Sequence, residues 1–125
     1  TQPGNSVNLI EATQDRLTKN LSVVACPEAH RTLTGDIAPF KSGLFHLAKS
    51  LRTPIVPVVI RGLYAVNHKG SWLIKPGRVD IFIGPQIDFT AYQGEQLTKR
   101  IESLQRSMSE YLKLGIWQFD EQSKF

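Results

Sequence analysis

The sequence predicts an α/β protein: a three-layer αβα-type mixed sheet with a βαβ core, a β-hairpin and a C-terminal amphipathic helix. The first observation is a pair of short apolar runs, Leu-Ser-Val-Val-Ala-Cys at residues 21–26 and Ile-Val-Pro-Val-Val-Ile at residues 55–60. Runs of this length and composition are typical of buried strands. The second is the helix-like segment 44–51 between them, which completes a strand–helix–strand unit with a right-handed crossover. The third is a long amphipathic pattern near the end of the chain.

The chain before the first predicted strand has the pattern of a helix. Asn5 or Ser6 can cap it, because side-chain oxygens at that position accept the free N–H groups of a first helical turn. Asn20 is a natural left-handed stop before the strand. Apolar residues recur near helical spacing between these ends, at Val7, Ile10, Leu17 and Leu21.

The second half of the chain predicts a strand, a hairpin and a helix. Residues 55–60 read as a strand buried on both faces, in which Pro57 marks an edge or a bulge. Residues 72–74 and 79–83 read as a hairpin joined by Lys-Pro-Gly-Arg, where Pro-Gly fits a type II turn. Gly115 sits where a helix C-cap glycine belongs. The preceding helix has one apolar face, made of Leu97, Ile101, Leu104, Met108, Tyr111 and Leu112.

The composition limits the classes of partner. A chain of 125 residues fits one domain, and a formal charge of +4 with a pI near 9.4 favours anionic partners such as phosphorylated lipids, a thioester carrier or a membrane surface. Nucleic acid is not expected, because no recognition motif or basic stripe with interleaved aromatics is present. One cysteine excludes an intramolecular disulfide. No apolar run approaches the ~20 residues of a membrane helix, so this piece is expected to be soluble.

The connection between the first predicted strand and helix is the candidate site. It is longer than the roughly 2–6 residues usual for such a loop, and it leaves the edge where open α/β sheets bind ligands. It carries several polar side chains, one of them beside a helix N-terminus, and an arginine ends the second strand at the same edge. The predicted substrate-binding residues of this candidate anion site are Glu28, His30, Arg31, Lys41 and Arg61.

Cys26 has two interpretations. With His30 four residues later, a nucleophilic thiol–imidazole pair is conceivable. Because Cys26 ends an apolar run, a buried and inert thiol is the favoured interpretation.

Three short blocks resemble the glycerolipid acyltransferase family of the lysophosphatidic acid acyltransferase type. Pro-Glu-Ala-His-Arg-Thr at residues 27–32 resembles the family's Pro-Glu-Gly-Thr-Arg-Ser block. Phe-Lys-Ser-Gly at residues 40–43 matches Phe-Lys-x-Gly, and Pro-Ile-Val-Pro-Val-Val at residues 54–59 matches Val-Pro-Ile-Val-Pro-Val. The resemblance covers most of residues 7–114 and corresponds to the second half of the family's domain.

The resemblance implies a reaction and roles for two residues. The reaction would move a fatty acyl group from an acyl-CoA or acyl-carrier thioester to a lysophospholipid resembling 1-acylglycerol-3-phosphate, with no cofactor beyond that donor. Arg31 would hold the acceptor's phosphate and Glu28 would brace the loop. Ala29 and His30 stand where the family has glycine and threonine.

The family's catalytic motif, His-x-x-x-x-Asp, is absent. Asp36 lies one position too far from His30, and leucines occupy the carboxylate position after His46 and His68. Residues 1–125 are therefore expected to be a single domain, the C-terminal part of an acyltransferase domain without its N-terminal catalytic motif, and inactive alone. The parent protein is expected at the cytoplasmic face of a membrane. The alternative is a non-catalytic α/β module that binds an anionic lipid or a protein.

Overall fold

A computed structural model describes residues 4–28, 34–67 and 70–119 of the chain. Within those ranges the chain forms four helices and two short strands. In chain order these are α1 (Gly4–Thr18), α2 (Gly43–Ser50), β1 (Val58–Arg61), α3 (Leu63–Val66), β2 (Asp80–Ile83) and α4 (Gly94–Leu114).

The core lies between α4, α2 and the segment that leads into α4. Phe45 of α2 meets Phe89 edge to face, with ring centroids 5.1 Å apart and planes inclined by 65°. The predicted apolar face of α4 is confirmed, since Leu97, Ile101 and Leu104 are buried in the same cluster. Burying each such side chain contributes about 1.5–3 kcal/mol, so this cluster is the main source of stability.

The sheet has two antiparallel strands. Val58 lies opposite Ile83 and Arg61 lies opposite Asp80, so β1 and β2 run along each other for four residues. One face is covered by α4, where the Phe82 ring stacks on a helix tyrosine. The other face carries four exposed apolar side chains, those of Val58, Ile60, Ile81 and Ile83.

The prediction of a strand at residues 21–26 is wrong, and with it the parallel βαβ unit. These residues are extended but unpaired, and all six are exposed. A strand is stabilised by ladder hydrogen bonds and cover on its faces, and this segment has neither in the described structure. Cys26 is consequently exposed, which corrects the expectation of a buried thiol.

The predicted hairpin is also wrong. Residues 72–74 form no strand, and β2 pairs with β1 instead. The chain just after these residues is instead bonded to α3, since the Lys75 N–H donates to the Val66 carbonyl at 3.0 Å.

The expectation that residues 55–60 are buried on both faces is wrong as well, because the outward face of β1 is exposed. Pro57 precedes β1 and separates it from the isolated bridge of Ile55 to Ile87, as expected of a strand interruption.

The signals that end helices are confirmed. Asn20 adopts the left-handed region at φ 56°, two residues after the end of α1. Gly115 does the same at φ 71° and donates its N–H to the Tyr111 carbonyl. Lys49 of α2 is half-buried, and its Nζ donates a hydrogen bond to the Tyr92 carbonyl at 2.6 Å.

Two further contacts complete the domain around α4. The chain after α4 folds back, since Phe119 is buried and the Trp117 ring lies 5.1 Å from the Phe82 ring. Before α4, the Thr90 N–H donates to Asp88, and this hydrogen bond holds the pKa of Asp88 below its usual value. The contribution of Asp88 to stability is therefore present at neutral pH and lost as the pH falls through that lowered pKa.

Candidate functional site

A cavity of about 600 Å³ lies between the 24–28 segment, residues 35–37, β1, α3 and α4. Its walls are mainly apolar, with Leu63, Met108 and Leu112 among them. The volume lies in the range of about 300–1,000 Å³ that small-molecule sites occupy. An apolar hollow of this size suits a hydrocarbon chain better than a small polar metabolite.

β1 and the turn after it line this cavity, through Val58, Val59, Ile60 and Gly62. Gly62 follows β1 with φ 84°, a left-handed conformation that glycine adopts without steric cost. A side chain there would also meet the carbonyl oxygen of Arg78. This tight turn directs α3 toward the loop, where Gly35 packs against the Tyr64 ring, 3.1 Å from the position a Cβ would take.

Glu28 organises the loop from the other side. Its Oε2 accepts a hydrogen bond from the Ala38 N–H at 2.8 Å, across ten residues of chain. The Lys41 N–H donates to the Pro27 carbonyl at 2.8 Å, just outside that link. Two bonds therefore tie the ends of the connection together, and Glu28 has the contact that a loop-bracing residue needs.

Replacing Glu28 with alanine is expected to lower the free energy of unfolding by about 1 kcal/mol. The lost bond is charge-assisted but half-exposed, so solvent screens part of its value. Urea unfolding of Glu28→Ala and Glu28→Gln measures the difference, because glutamine keeps an acceptor oxygen and should retain about half. Equal losses in both variants would contradict a role for the hydrogen bond itself.

The structure describes three of the five predicted substrate-binding residues, with Glu28 bonded to Ala38 as above. His30 and Arg31 lie outside the described residues, although Glu28 and Gly35 on either side both line the cavity. Lys41 is exposed at the start of α2. Arg61 is turned toward α4: its Nε donates to the Leu112 carbonyl at 3.2 Å, and its guanidinium lies 5.9 Å from the Tyr111 ring centroid.

The described charged residues that line the cavity are both acidic. Glu28 bonds to Ala38, and Asp36 forms an ion pair with Lys113 at 3.3 Å. The described lining therefore contains no cation. The sequence places a histidine and an arginine in the block at residues 29–33, between Glu28 and the described residues that resume at 34.

Sequence reasoning missed much of the cavity wall. Tyr64 of α3 and Met108 and Leu112 of α4 line it. The α4 residues lay on the predicted apolar face but were assigned to the core. Tyr64 had no signal in the sequence, because α3 is a single turn of four residues and too short to show a helical period.

Comparisons with known proteins agree on one family. The sequence model of the Acyltransferase family matches residues 1–61. A crystal structure of the 1-acyl-sn-glycerophosphate (LPA) acyltransferase PlsC from Thermotoga maritima superposes with a TM-score of 0.72 at 27% identity, over 88% of this chain and 46% of that chain. The chain belongs to the acyltransferase family. The resemblance of the three sequence blocks is thereby confirmed, and so is the α/β class, although the three-layer arrangement is not.

Curated relatives have the same name in plants and animals. The 1-acyl-sn-glycerol-3-phosphate acyltransferase of Cocos nucifera is 33% identical over 86 residues, which is 69% of this chain and 28% of the relative. The alpha enzyme of Mus musculus is 28% identical over 107 residues, 84% of this chain and 38% of the relative. The chain therefore spans about a third of the length of these acyltransferases.

The described ranges contain neither a candidate membrane span nor a candidate metal site. None of the helices there has the length and apolar character needed to cross a bilayer. No three His, Cys, Asp or Glu side chains in those ranges are grouped closely enough to hold a metal ion.

Proposed function

We propose that the whole protein transfers a fatty acyl group from an acyl-CoA or acyl-carrier thioester to a 1-acylglycerol-3-phosphate-like lysophospholipid. In this proposal it works at the cytoplasmic face of a membrane. The residues described above contribute the site for the acceptor, with its phosphate at the block that contains Arg31. The observation that carries the proposal is the mainly apolar cavity, which is lined by Glu28 and Gly35 on either side of that block in the sequence.

A lysophospholipid has an anionic head and one apolar chain, and the cavity suits both parts. The acyl chain of the lysophospholipid would lie against Met108, Leu112 and Leu63, where burial of each CH₂ contributes about 0.8 kcal/mol. The phosphate would meet the Arg31 guanidinium, whose planar fork donates two parallel hydrogen bonds to phosphate oxygens. The names of the relatives, which specify a 1-acyl-sn-glycerol-3-phosphate acceptor, support this assignment.

In this mechanism the residues of the cavity bind and orient the acceptor. Holding its phosphate at one end and its chain along the apolar wall fixes the free hydroxyl relative to the thioester carbonyl. Attack of that hydroxyl releases the thiol. By resemblance to the family, a histidine oriented by an aspartate removes the hydroxyl proton, and these 125 residues do not contain that motif.

The test is Arg31→Ala in the full-length protein. The expected result is a ten- to a hundredfold loss of kcat/KM for lysophosphatidic acid, because a charge-assisted contact to a bound anion contributes about 1.5–3 kcal/mol. The KM of the acyl-CoA donor should not change. Arg31→Lys should recover only part of the loss, since a point charge lacks the fork. Thiol release during steady-state turnover measures all three quantities.

Cys26→Ser is the control for a nucleophilic thiol. Cys26 is exposed at the cavity, and the serine variant should keep its activity. Abolished activity in Cys26→Ser would favour a covalent acyl intermediate instead. Unchanged acceptor kinetics in a folded Arg31→Ala variant would refute the phosphate assignment and redirect attention to Lys41 and Arg61.

A further inference from the structure

We propose that residues 71–79 bind the interface of an anionic lipid bilayer, beside the cavity. The segment exposes three consecutive apolar side chains: Trp72 is 92% exposed, Leu73 50% and Ile74 71%. A tryptophan that exposed on a folded domain loses the burial that large aromatic residues normally gain. Contiguous exposed apolar residues of this kind mark interaction sites.

The second half of the segment, from Lys75 to Arg78, is fixed against the end of α3 and the turn before it. The Lys75 N–H donates to the Val66 carbonyl at 3.0 Å, which ties the middle of the segment to the end of α3. Gly77 packs against the Val66 side chain and Gly62 against the Arg78 backbone, so closely that neither position has room for a Cβ. A loop held at its base presents its apolar residues with little further loss of conformational entropy on binding.

The basic residues of the segment favour an anionic lipid surface as its binding partner. Lys75 is exposed and has no ion-pair partner among the residues the structure describes. Arg78 is also exposed and shares its charge with Asp80 at 2.8 Å. The chain as a whole is basic, with a formal charge of +4. Tryptophan prefers the interfacial region of a bilayer, and basic residues beside it are attracted to anionic headgroups. An apolar tip with a basic flank therefore fits an anionic bilayer.

The position of the segment beside the cavity suggests a function for the membrane contact. Gly62, Leu63, Tyr64 and Asn67 all line the cavity, and they span α3, immediately before the segment. Insertion of Trp72 and its neighbours would bring this end of the cavity close to the bilayer. A lipid acceptor could then move between membrane and cavity without its chain crossing water. This use rests on the proposed function, whereas the membrane contact itself does not.

Trp72 fluorescence tests the insertion directly. The chain contains two tryptophans, so Trp117→Phe leaves Trp72 as the only emitter. Vesicles of equal parts phosphatidylglycerol and phosphatidylcholine should shift its emission to the blue, and bromine-labelled lipids should quench it. Pure phosphatidylcholine vesicles should give a smaller shift, and added salt should weaken binding to the anionic vesicles.

Sedimentation with sucrose-loaded vesicles compares variants without needing fluorescence. Trp72→Ser/Ile74→Ser should weaken partitioning into anionic vesicles at least tenfold, because it removes two exposed apolar side chains. Lys75→Gln should weaken it about fivefold. Ile83→Ser is the apolar control, since Ile83 is 68% exposed but lies at the opposite end of the strand ladder from Arg61. Lys99→Gln is the charge control. Gly115 at the end of α4 lies against Arg61, which pairs with Asp80 just after the segment. Lys99 is roughly 24 Å along α4 from Gly115 by helical rise.

Circular dichroism melts establish that each variant is folded before its binding is compared. Both controls should bind within about twofold of the unsubstituted chain. The proposal is overturned if anionic vesicles do not shift the Trp72 emission wavelength, or if Trp72→Ser/Ile74→Ser binds these vesicles as tightly as the unsubstituted chain. It is also overturned if Ile83→Ser loses as much, which would assign binding to the exposed sheet face. Self-association abolished by Trp72→Ser/Ile74→Ser, without vesicle binding by the original chain, would assign the segment to an interface between copies.

Discussion

Gly62→Ala is expected to lower the free energy of unfolding by about 2–4 kcal/mol. The alanine would have to adopt φ 84°, which costs on the order of 1 kcal/mol for a residue with a Cβ. Its Cβ would also overlap the carbonyl oxygen of Arg78, a backbone atom that cannot move aside as a side chain does. Relieving that overlap means shifting one strand end against another, and overpacking of this kind costs a further 1–3 kcal/mol.

Substitutions at two other glycines distinguish the cost of the positive φ from the cost of the overlap with the Arg78 carbonyl. Gly70 has φ 93° with nothing within 4 Å of a built Cβ, so Gly70→Ala reports backbone strain alone, about 1 kcal/mol. Gly43 begins α2 with open space around it and no positive φ, so Gly43→Ala should be neutral or stabilising by up to about 1 kcal/mol. Urea unfolding of the three variants measures the order. If Gly62→Ala costs no more than Gly70→Ala, the Arg78 carbonyl is not a fixed neighbour.

The helices were predictable because their signals are local. The period of apolar residues along α4, the left-handed Asn20 after α1 and the glycine after α4 each act within a few residues of where they stand. The structure agrees with the sequence at these positions. α2 begins at Gly43, one residue before its predicted start.

The strands were less predictable because a strand depends on what lies beside it. Residues 21–26 have the composition of a buried strand but no paired neighbour, so they stay extended and exposed. The Pro-Gly pair at residues 76–77 predicts a turn between adjacent strands, yet β2 pairs with the more distant β1. The outcome depends on contacts between segments far apart in sequence, which local composition does not specify.

The candidate site was predictable where the chemistry is carried by a block of sequence. Glu28 was expected to brace its loop, and it bonds to Ala38. Tyr64 was not expected, because its position beside Gly35 comes from the tight turn at Gly62. Sequence therefore anticipated the bracing contact of Glu28, whereas the walls of the cavity required the fold.

Arg100 is the residue whose environment the sequence misrepresents most. It stands on α4 among charged neighbours that are solvated, yet it is only 1% exposed. Its guanidinium carbon lies 4.1 Å from the Phe119 ring centroid and 5.3 Å from that of Tyr92. Its Nε has no hydrogen-bond partner among the residues that the structure describes. The guanidinium thus lies between two rings and links α4 to the chain that precedes it and the chain that follows it.

Arg100→Ala is expected to lower the free energy of unfolding by about 2–4 kcal/mol. It removes two cation–π contacts, each of about 0.5–2 kcal/mol, and leaves a cavity where the aliphatic stem packed. Trp117 lies 6.0 Å from Phe119, so its fluorescence should report the loosening of this segment before global unfolding. Arg106→Ala is the matched control: it is the same substitution at an exposed site of α4, and it should change stability by no more than about 0.5 kcal/mol.

Arg100→Met distinguishes the charge from the packing. Methionine keeps much of the buried stem and removes a charge whose desolvation is incompletely offset, an exchange that is often neutral or stabilising. We therefore expect Arg100→Met to lose less than half of what Arg100→Ala loses. If the two variants lose the same amount, packing of the stem is unimportant and the charge itself holds the segment. That result would require a carboxylate close to Arg100, because two rings alone do not offset the desolvation of a buried cation.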